Sequence, residues 1–339
     1  MPLLKFAPKG IYCQQGDFYI DPWFPVEKAI ITHAHSDHAR SGMGHYLCQH
    51  LSKEVLKLRL GQKVNVQSIA YNEPVFINGV QVSLHPSGHL PGSAQVRVEY
   101  KGEVWVASGD YKIENDGLAD PFEPVRCQTF ITECTFGLPI FDWAPQVEVF
   151  SEINNWWLQN QRQNRTSVLF AYSLGKAQRL LAGLNPEFGQ VYVHDSIFKT
   201  NEALVFSGLK LPAYNKISGN INKKDFGKAI VITPGSSAIT ALLQGFGDYK
   251  AANCSGWMAV RKLRNRSNDV GFVLSDHADW KGLIEAVKST GATHVITTHG
   301  YTRVFAKYLN EIGIEASTVS TGFSGNGGEE IQKTNSTEA

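Results

Sequence analysis

The segment that decides the fold is His33-Ala34-His35-Ser36-Asp37-His38, which directly follows the short apolar stretch 29–32. The end of a strand brings neighbouring side chains into one space, and three imidazoles with a carboxylate are difficult to place there without a cation. Neutral imidazole and carboxylate are ligands that suit zinc, manganese or iron. Four such residues within six positions exceed the three that a single metal needs from the protein, so they predict a two-metal site.

Two later segments supply further ligand candidates. His89 lies between glycines in PSGHLPGS, residues 86–93, after an expected strand at 80–85 and before another at 95–100. Asp110 follows an expected strand at 103–107, and a carboxylate at a strand end can bridge two metals. Lone polar residues of this kind are usually ordinary loop groups, but their order and their strand-end positions favour the metal site.

Several of these segments resemble motifs of a known family. THAHSDH at 32–38, HPSGH at 85–89 and SGD at 108–110 resemble the first motifs of the metallo-β-lactamase fold. Glu133 in ITECTFG, His277 in VLSDHADW and His299 in ITTHGY resemble the further motifs of its β-CASP branch of nucleases. Longer segments, such as GIYCQQGDFYIDPW at 10–23, PFEPVRC at 121–127 and GKAQRLLAGL at 175–184, resemble the bacterial ligase-associated DNA damage response exonucleases. The resemblance covers residues 10 to 320.

The resemblance implies a ligand set. One metal would be held by His33, His35 and His89, and a second by Asp37, His38 and His299, with Asp110 bridging the two. The cofactors would be two divalent ions, zinc or else manganese. A hydroxide shared by the metals would attack phosphorus. Asp37 would then be a catalytic residue as well as a metal ligand. His277 would protonate the leaving oxygen, and Glu133 would orient His277.

The implied fold class is α/β, with a metallo-β-lactamase αββα sandwich and an inserted β-CASP domain built on a parallel sheet. The pattern of alternating strands and helices after residue 145 also predicts a parallel-sheet insert. We expect the first part of the sandwich domain at 1–140, the insert at 141–268, the closing part at 269–320 and a disordered tail at 321–339.

Charge is distributed unevenly along the chain. The net charge is +1, yet residues 141–268 contain 15 basic and 8 acidic residues, and the remainder contains 17 basic and 23 acidic. Such asymmetry predicts a polyanion-binding insert. The substrate-binding candidates are Tyr172, for base stacking, the group Ser173, Gly175 and Lys176 at an expected helix start, and the basic residues Arg261 and Arg264.

The composition of the chain indicates the cellular compartment and the partners of the protein. Hydrophobic residues make up 42% and charged residues 19% of a chain of 339 residues, and there is neither a long apolar run nor a CxxC pair among the five cysteines. We therefore expect a cytoplasmic protein with no membrane partner. The expected partner is nucleic acid, with DNA favoured over RNA. Functional partnership with an ATP-dependent DNA ligase and a helicase is implied by the family context alone.

Three other functions stay open. An RNA-processing exonuclease or endonuclease of the β-CASP type is the first, because a histidine in the last motif, as at His299, is associated with RNA nucleases in this branch. The second is a small-molecule hydrolase, which the basic insert disfavours. The third is a non-catalytic nucleic-acid-binding subunit, which the complete set of ligand positions disfavours.

Overall fold

A computed structural model of the chain describes residues 2–217, 226–235, 245–260 and 270–319. The chain divides into two compact units. Among the described residues, the first unit contains 2–142, 203–209 and 276–319, and the second contains 143–202 and the described part of 210–275. The expected disordered tail at 321–339 lies outside the described residues. The helices of the described part are α1 (His50–Leu60), α2 (Gln146–Arg162), α3 (Lys176–Gly183), α4 (Asp195–Phe206), α5 (Trp280–Thr290) and α6 (Thr302–Glu311).

The first unit contains two sheets. One has six strands paired in chain order: β1 (Lys5–Ala7), β2 (Gly10–Cys13), β3 (Phe18–Ile20), β4 (Lys28–Ile30), β5 (His45–Gln49) and β6 (Val66–Ile69). The other has seven: β7 (Val75–Ile77), β8 (Val80–Pro86), β9 (Ala94–Tyr100), β10 (Glu103–Ala107), β11 (Thr129–Cys134), β18 (His294–Gly300) and β19 (Glu315–Thr318). Their order is β19-β18-β11-β10-β9-β8-β7.

The two sheets of this unit share one hydrophobic core. Val82 and Val98, which face each other on β8 and β9, pack in the same buried cluster as Phe18 and Ile30 of the six-stranded sheet. Helix α1 packs on β5 and β6, while α5 packs on β11 and α6 on β18 and β19. The layers therefore follow the order helix, sheet, sheet, helix, which confirms the αββα sandwich.

The second unit is built on one parallel sheet. Its strands are β12 (Thr166–Phe170), β13 (Val191–Val193), β14 (Asn215–Lys216), β15 (Ile230–Thr233), β16 (Tyr249–Cys254) and β17 (Val270–Phe272), in the order β14-β13-β15-β12-β16-β17. Every pairing is parallel. All four residues of β15 are buried, as a strand covered on both faces requires. The α/β parallel-sheet class is confirmed.

Most expected elements agree with the structure within two or three residues. The sequence Lys101-Gly102 between the strands expected at 95–100 and 103–107 predicts a hairpin turn, and its φ values of 52° and 83° are the left-handed pair that a tight two-residue turn requires. The pattern of the first 140 residues predicts mostly short strands and does not indicate α1, which the structure places at His50–Leu60. The sequence also predicts a helix from Ser236, which lies outside the described residues. Within the described ranges, no helix is long and apolar enough to cross a membrane.

Candidate metal centre

Strand ends of the first unit bring the candidate ligands together. His33, His35, Asp37 and His38 follow β4, and His89 lies in the loop between β8 and β9. Strands β10, β11 and β18 are parallel neighbours, so their carboxyl ends lie at one edge of the sheet. Asp110 follows β10, while Glu133 and His299 lie near the ends of β11 and β18. The topology therefore brings segments distant in sequence to a single edge.

The first expected ligand set converges. The Nδ1 of His35 lies 3.1 Å from the Nε2 of His33 and 3.2 Å from the Nε2 of His89. The Oδ2 of Asp110 lies 3.5 Å from the His33 Nε2 and 3.8 Å from the His89 Nε2. These four ligand atoms all lie within 4.8 Å of one another. His33, His89 and Asp110 are buried, and His35 is partly exposed.

The second set adjoins the first through Asp110. The His38 Nε2 lies 3.4 Å from the same Asp110 Oδ2 and 3.8 Å from the Asp37 Oδ2. The rings of His38 and His299 are stacked with centroids 5.7 Å apart. One carboxylate oxygen thus lies between the two groups of imidazoles, which is the position a bridging ligand needs.

The separations fit divalent cations. Ligands about 2.0–2.1 Å from a tetrahedral ion lie about 3.3 Å from one another. The separations of 3.1, 3.2 and 3.5 Å among His33, His35, His89 and Asp110 bracket this value. Unprotonated imidazole nitrogens this close oppose one another unless a shared cation attracts their lone pairs. The first set therefore fits a divalent metal, and the same Asp110 oxygen also lies near His38 of the second set.

His299 occupies an unusual backbone position. In the pairing of β11 with β18, Glu133 is opposite Thr298 and Cys134 is opposite Gly300. His299 lies between these two pairs as the extra residue of a bulge. Its φ is 55°, the left-handed region that residues other than glycine rarely adopt. Bulges next to active sites redirect side chains, and this one turns the imidazole towards His38.

Asp21 is a functional residue that sequence reasoning missed. Its Oδ2 lies 2.7 Å from the His38 Nδ1, opposite the nitrogen that faces Asp110. The same carboxylate accepts hydrogen bonds from the Thr32 backbone N–H at 2.8 Å and hydroxyl at 2.6 Å. A partner on the far nitrogen determines the tautomer and the orientation of a ligand imidazole. Asp21 lies within the quoted segment GDFYIDPW, but no pattern there distinguishes its role.

Glu133 and His277 form a second pair beside the ligands. The His277 Nδ1 lies 2.9 Å from both carboxylate oxygens of Glu133. Glu133 also accepts a hydrogen bond from the Tyr111 backbone N–H at 2.8 Å, which anchors its carboxylate. The His277 ring lies 4.7 Å from that of His89, centroid to centroid. Glu133, His277 and Asp110 also form a second group of possible metal ligands.

Burial and charge set the protonation of the cluster. Burial lowers the pKa of His33 and of His89 well below the usual value, and it lowers the pKa of His299 to about 4. These imidazoles are neutral at pH 7, as metal ligation requires. Burial also disfavours charge on His38, but the carboxylates of Asp110, Asp37 and Asp21 outweigh it and raise the pKa of His38 well above the usual value.

The residues of the expected phosphate seat lie at the start of α3 and in the loop before it. Lys176 is fully buried and its Nζ donates to the Leu274 carbonyl at 2.7 Å, so its ammonium is withdrawn from solvent. The Gly175 N–H donates to the Gln178 side chain at 2.7 Å. The Ser173 hydroxyl lies 2.9 Å from that of Ser196. Tyr172 is 36% exposed. Arg261 and Arg264 lie outside the described residues.

Comparison with known proteins gives related sequences. The chain is 30% identical over 317 residues to a probable DNA ligase of Opitutus terrae, covering 92% of this chain and 30% of that protein. It is 26% identical over 139 residues to the cleavage and polyadenylation specificity factor subunit 3 of Dictyostelium discoideum, covering 38% of this chain and 17% of that one. An RNase of Saccharolobus solfataricus is 27% identical over 123 residues, covering 35% and 25%. The chain thus spans less than a third of each of these relatives.

Comparison with solved structures identifies the fold. The crystal structure of a protein of unknown function from Enterococcus faecalis matches with a TM-score of 0.56 at 11% identity, covering 86% of this chain and 78% of that one. No family model matches the sequence. The sandwich and its strand-end cluster of histidines and aspartates define a protein of the metallo-β-lactamase fold. With the relatives above, the chain belongs to the β-CASP branch of that fold.

Proposed function

We propose that the protein is a two-metal phosphodiester hydrolase that acts as a DNA exonuclease in DNA repair. The observation that supports this most directly is the bridging position of Asp110, whose Oδ2 lies within 3.8 Å of the His33, His38 and His89 nitrogens. Relatives named as RNases or endoribonucleases support hydrolysis of a nucleic-acid backbone. The DNA substrate, the exonuclease mode and the role in repair are parts of the proposal.

The chemistry divides between the ligands and the His277–Glu133 pair. Two divalent ions held by the seven ligand residues would supply charge neutralisation at phosphorus and a water of lowered pKa. Because Glu133 engages the Nδ1 of His277, a protonated His277 holds its transferable proton on Nε2. His277 then donates this proton to the leaving sugar oxygen, while the anchored Glu133 stabilises the charged ring. Asp37, His38 and His299 would complete the ligand set at the second ion.

Zinc is the metal proposed, with manganese as the alternative. The set contains five imidazoles and two carboxylates, and separations close to 3.3 Å suit short bonds to a tetrahedral ion. Carboxylate bridging is equally compatible with manganese, which favours oxygen ligands. Metal analysis of the purified protein distinguishes the two.

DNA is favoured over RNA by the extent of similarity. The relative named as a probable DNA ligase aligns with 92% of this chain, whereas the subunit 3 relative and the RNase align with 38% and 35%. The same relative supports partnership with a DNA ligase, because the segment that is similar to this chain makes up 30% of a protein named as a probable DNA ligase. Partnership with a helicase rests on the family resemblance alone.

The basic composition of 141–268 suits a polyanion, and the exposed Tyr172 is retained as a base-stacking candidate.

The test is a time course on oligomers of one sequence, prepared as DNA and as RNA and labelled at the 5′ or the 3′ end. Zinc and manganese are compared, with Asp37→Ala as the control for contaminating nuclease. Stepwise shortening of DNA faster than RNA is the expected result. Equal or faster cleavage of RNA would instead establish the RNA-processing alternative, which the named RNase relatives favour.

A further inference from the structure

A buried ion pair follows the expected ligand Asp110 in the first unit. The Lys112 Nζ lies 2.6 Å from the Asp116 Oδ2, and both side chains are only 3% exposed. The other carboxylate oxygen of Asp116 accepts the backbone N–H groups of Leu118 and Ala119, each at 2.9 Å. The turn after Asp110 is therefore closed around a lysine and an aspartate that are both withdrawn from solvent.

Stability alone does not account for this pair. Two buried charges lose their hydration, and the attraction between them does little more than offset that loss. Apolar side chains of similar volume are often equally stable or more stable in such positions. Departures from the usual preference for an apolar interior concentrate at functional positions, so the other contacts of Lys112 indicate what the pair does.

Lys112 also holds the loop that carries His89. Its Nζ donates to the Gly88 carbonyl at 2.8 Å, and its backbone N–H donates to the Ser87 carbonyl at 3.0 Å. The two segments are in close contact, since a Cβ added to Gly88 would collide with the Lys112 carbonyl oxygen. The backbone immediately before His89 is therefore fixed by the main chain and by the side chain of Lys112.

The imidazole of His89 needs this second constraint. Its Nδ1 donates to the Asp276 carbonyl at 2.8 Å, which determines the tautomer and leaves Nε2 as the metal-facing atom. That Nε2 lies 3.2 Å from the His35 Nδ1 and 3.8 Å from the Asp110 Oδ2. One hydrogen bond on the ring does not determine where the backbone places it, and the contacts of Lys112 do. All of these residues belong to the first unit.

We propose that the Lys112–Asp116 ion pair is a positioning element that aligns His89 with His35 and Asp110 for the first metal. This rests on the proposed role of His89 as a metal ligand. Asp116 holds the ammonium of Lys112, and the ammonium holds the carbonyl before His89. Without the pair, the imidazole leaves its alignment and the affinity for the first metal falls. The second metal is retained, because its other expected ligands lie outside this loop.

The test is calorimetric titration of the metal-free full chain with zinc. The double variant Lys112→Met with Asp116→Asn removes both charges, so neither is left buried alone, and asparagine still accepts the N–H groups of the turn. The matched control is Lys281→Met with Asp142→Asn, an ion pair of the same unit whose side chains are 74% and 56% exposed.

The affinity for one zinc ion should fall about 10–100-fold in the double variant, the usual effect of losing a residue that orients a ligand. The affinity for the other zinc ion, and both affinities of the control, should stay within about threefold of wild type. Equal affinities in the double variant and the control would overturn the proposal.

A second comparison separates positioning from a general loss of stability. In a His89→Ala background, which lacks the imidazole itself, the double variant should cause no further loss of zinc affinity, because it acts through His89. In a His38→Ala background, where the first metal remains, it should cause its full loss. An additional loss in the His89→Ala background would show that the pair acts elsewhere and would overturn the proposal.

The two proposals fail in different ways, and no arm of the experiment requires cleavage. Retention of both zinc ions by His89→Ala would remove the ligand role of His89 and the positioning proposal with it. Loss of a zinc ion from His89→Ala but not from the double variant would overturn the positioning proposal alone.

Asp116→Asn covers the case in which the double variant fails to fold. It retains the volume of the side chain and the Lys112 contact with Gly88, so it should lower the same zinc affinity by less, with the far-ultraviolet circular dichroism of wild type. An unchanged zinc affinity in Asp116→Asn would overturn the role of the pair.

Discussion

Asp21 lies directly behind His38, with its Oδ2 2.7 Å from the His38 Nδ1, while the His38 Nε2 faces Asp110 at 3.4 Å. The imidazole thus lies between two carboxylates, Asp21 on its Nδ1 side and the expected bridging ligand Asp110 on its Nε2 side. Asp21 is itself held by the Thr32 backbone N–H and hydroxyl, and it is only 5% exposed. The orientation of His38, an expected ligand, is therefore set by a residue 17 positions earlier in the chain.

Asp21→Asn should weaken binding of one of the two metals. The substitution removes the negative charge behind His38 but retains a residue that tolerates the φ of 42° found there. Loss of such an orienting partner lowers metal affinity about 10–100-fold. Calorimetric titration of the metal-free protein measures the two affinities. Asp17→Asn is the control, because Asp17 has a φ of 52° and its carboxylate binds the exposed Tyr12 hydroxyl. Equal metal affinity in both variants would remove the orienting role of Asp21.

Asp37→Ala and His38→Ala should each abolish cleavage with the fold retained. Each removes a ligand of the second metal, while the first set, built on His33, His35 and His89, stays intact. The rate on labelled DNA and the far-ultraviolet circular dichroism are measured together. His45→Ala serves as control, since His45 is a surface residue paired with Glu27. Unchanged turnover in either ligand variant contradicts the two-metal mechanism.

His277→Ala should slow cleavage about 10²–10⁴-fold, the usual contribution of a positioned proton donor, with metal content unchanged. Because Glu133 acts through His277, Glu133→Gln should change the rate in the same direction by less. Metal content decides the interpretation, since Asp110, Glu133 and His277 also form a possible ligand group. Loss of a metal from His277→Ala would reassign this residue as a ligand.

The site could be predicted from the sequence where its residues are close along the chain or match long motifs. His33 to His38 lie within six positions, and a strand end before them is sufficient to place them together. The bulge that turns His299 towards His38 depends on the pairing of β11 with β18, which one segment alone does not reveal. The same holds for Lys176, since a basic residue at a helix start predicts a phosphate contact and gives no sign of burial. Its burial against Leu274 results from tertiary packing.

Metal binding at pH 7 should release the proton that His38 carries in the metal-free protein. The carboxylates around His38 raise its pKa well above 6.5, so the metal-free protein carries a proton there, whereas burial keeps His33 and His89 neutral. A metal at the His38 Nε2 displaces that proton. Affinity for the second metal should therefore rise about tenfold per pH unit while His38 is protonated. Calorimetry in buffers of different ionisation enthalpy counts the proton. A count of zero contradicts the protonated state of His38.

Gly109→Ala should destabilise the protein and disturb Asp110. Gly109 has a φ of 57°, and a Cβ there would lie 2.7 Å from the Cβ of Thr32, the residue whose hydroxyl binds Asp21. Gly79→Ala is the matched control, because Gly79 has a φ of 80° but no heavy atom within 4 Å of the added carbon. Both substitutions strain the backbone, and only the first adds a steric clash, which costs about 1–3 kcal/mol of unfolding free energy. Denaturant unfolding measures this difference, and zinc analysis shows whether Asp110 still holds its metals. Equal losses of stability in the two variants would mean that Thr32 moves aside freely. The position of Asp110 between the histidines would then not depend on the close packing of Gly109 against Thr32.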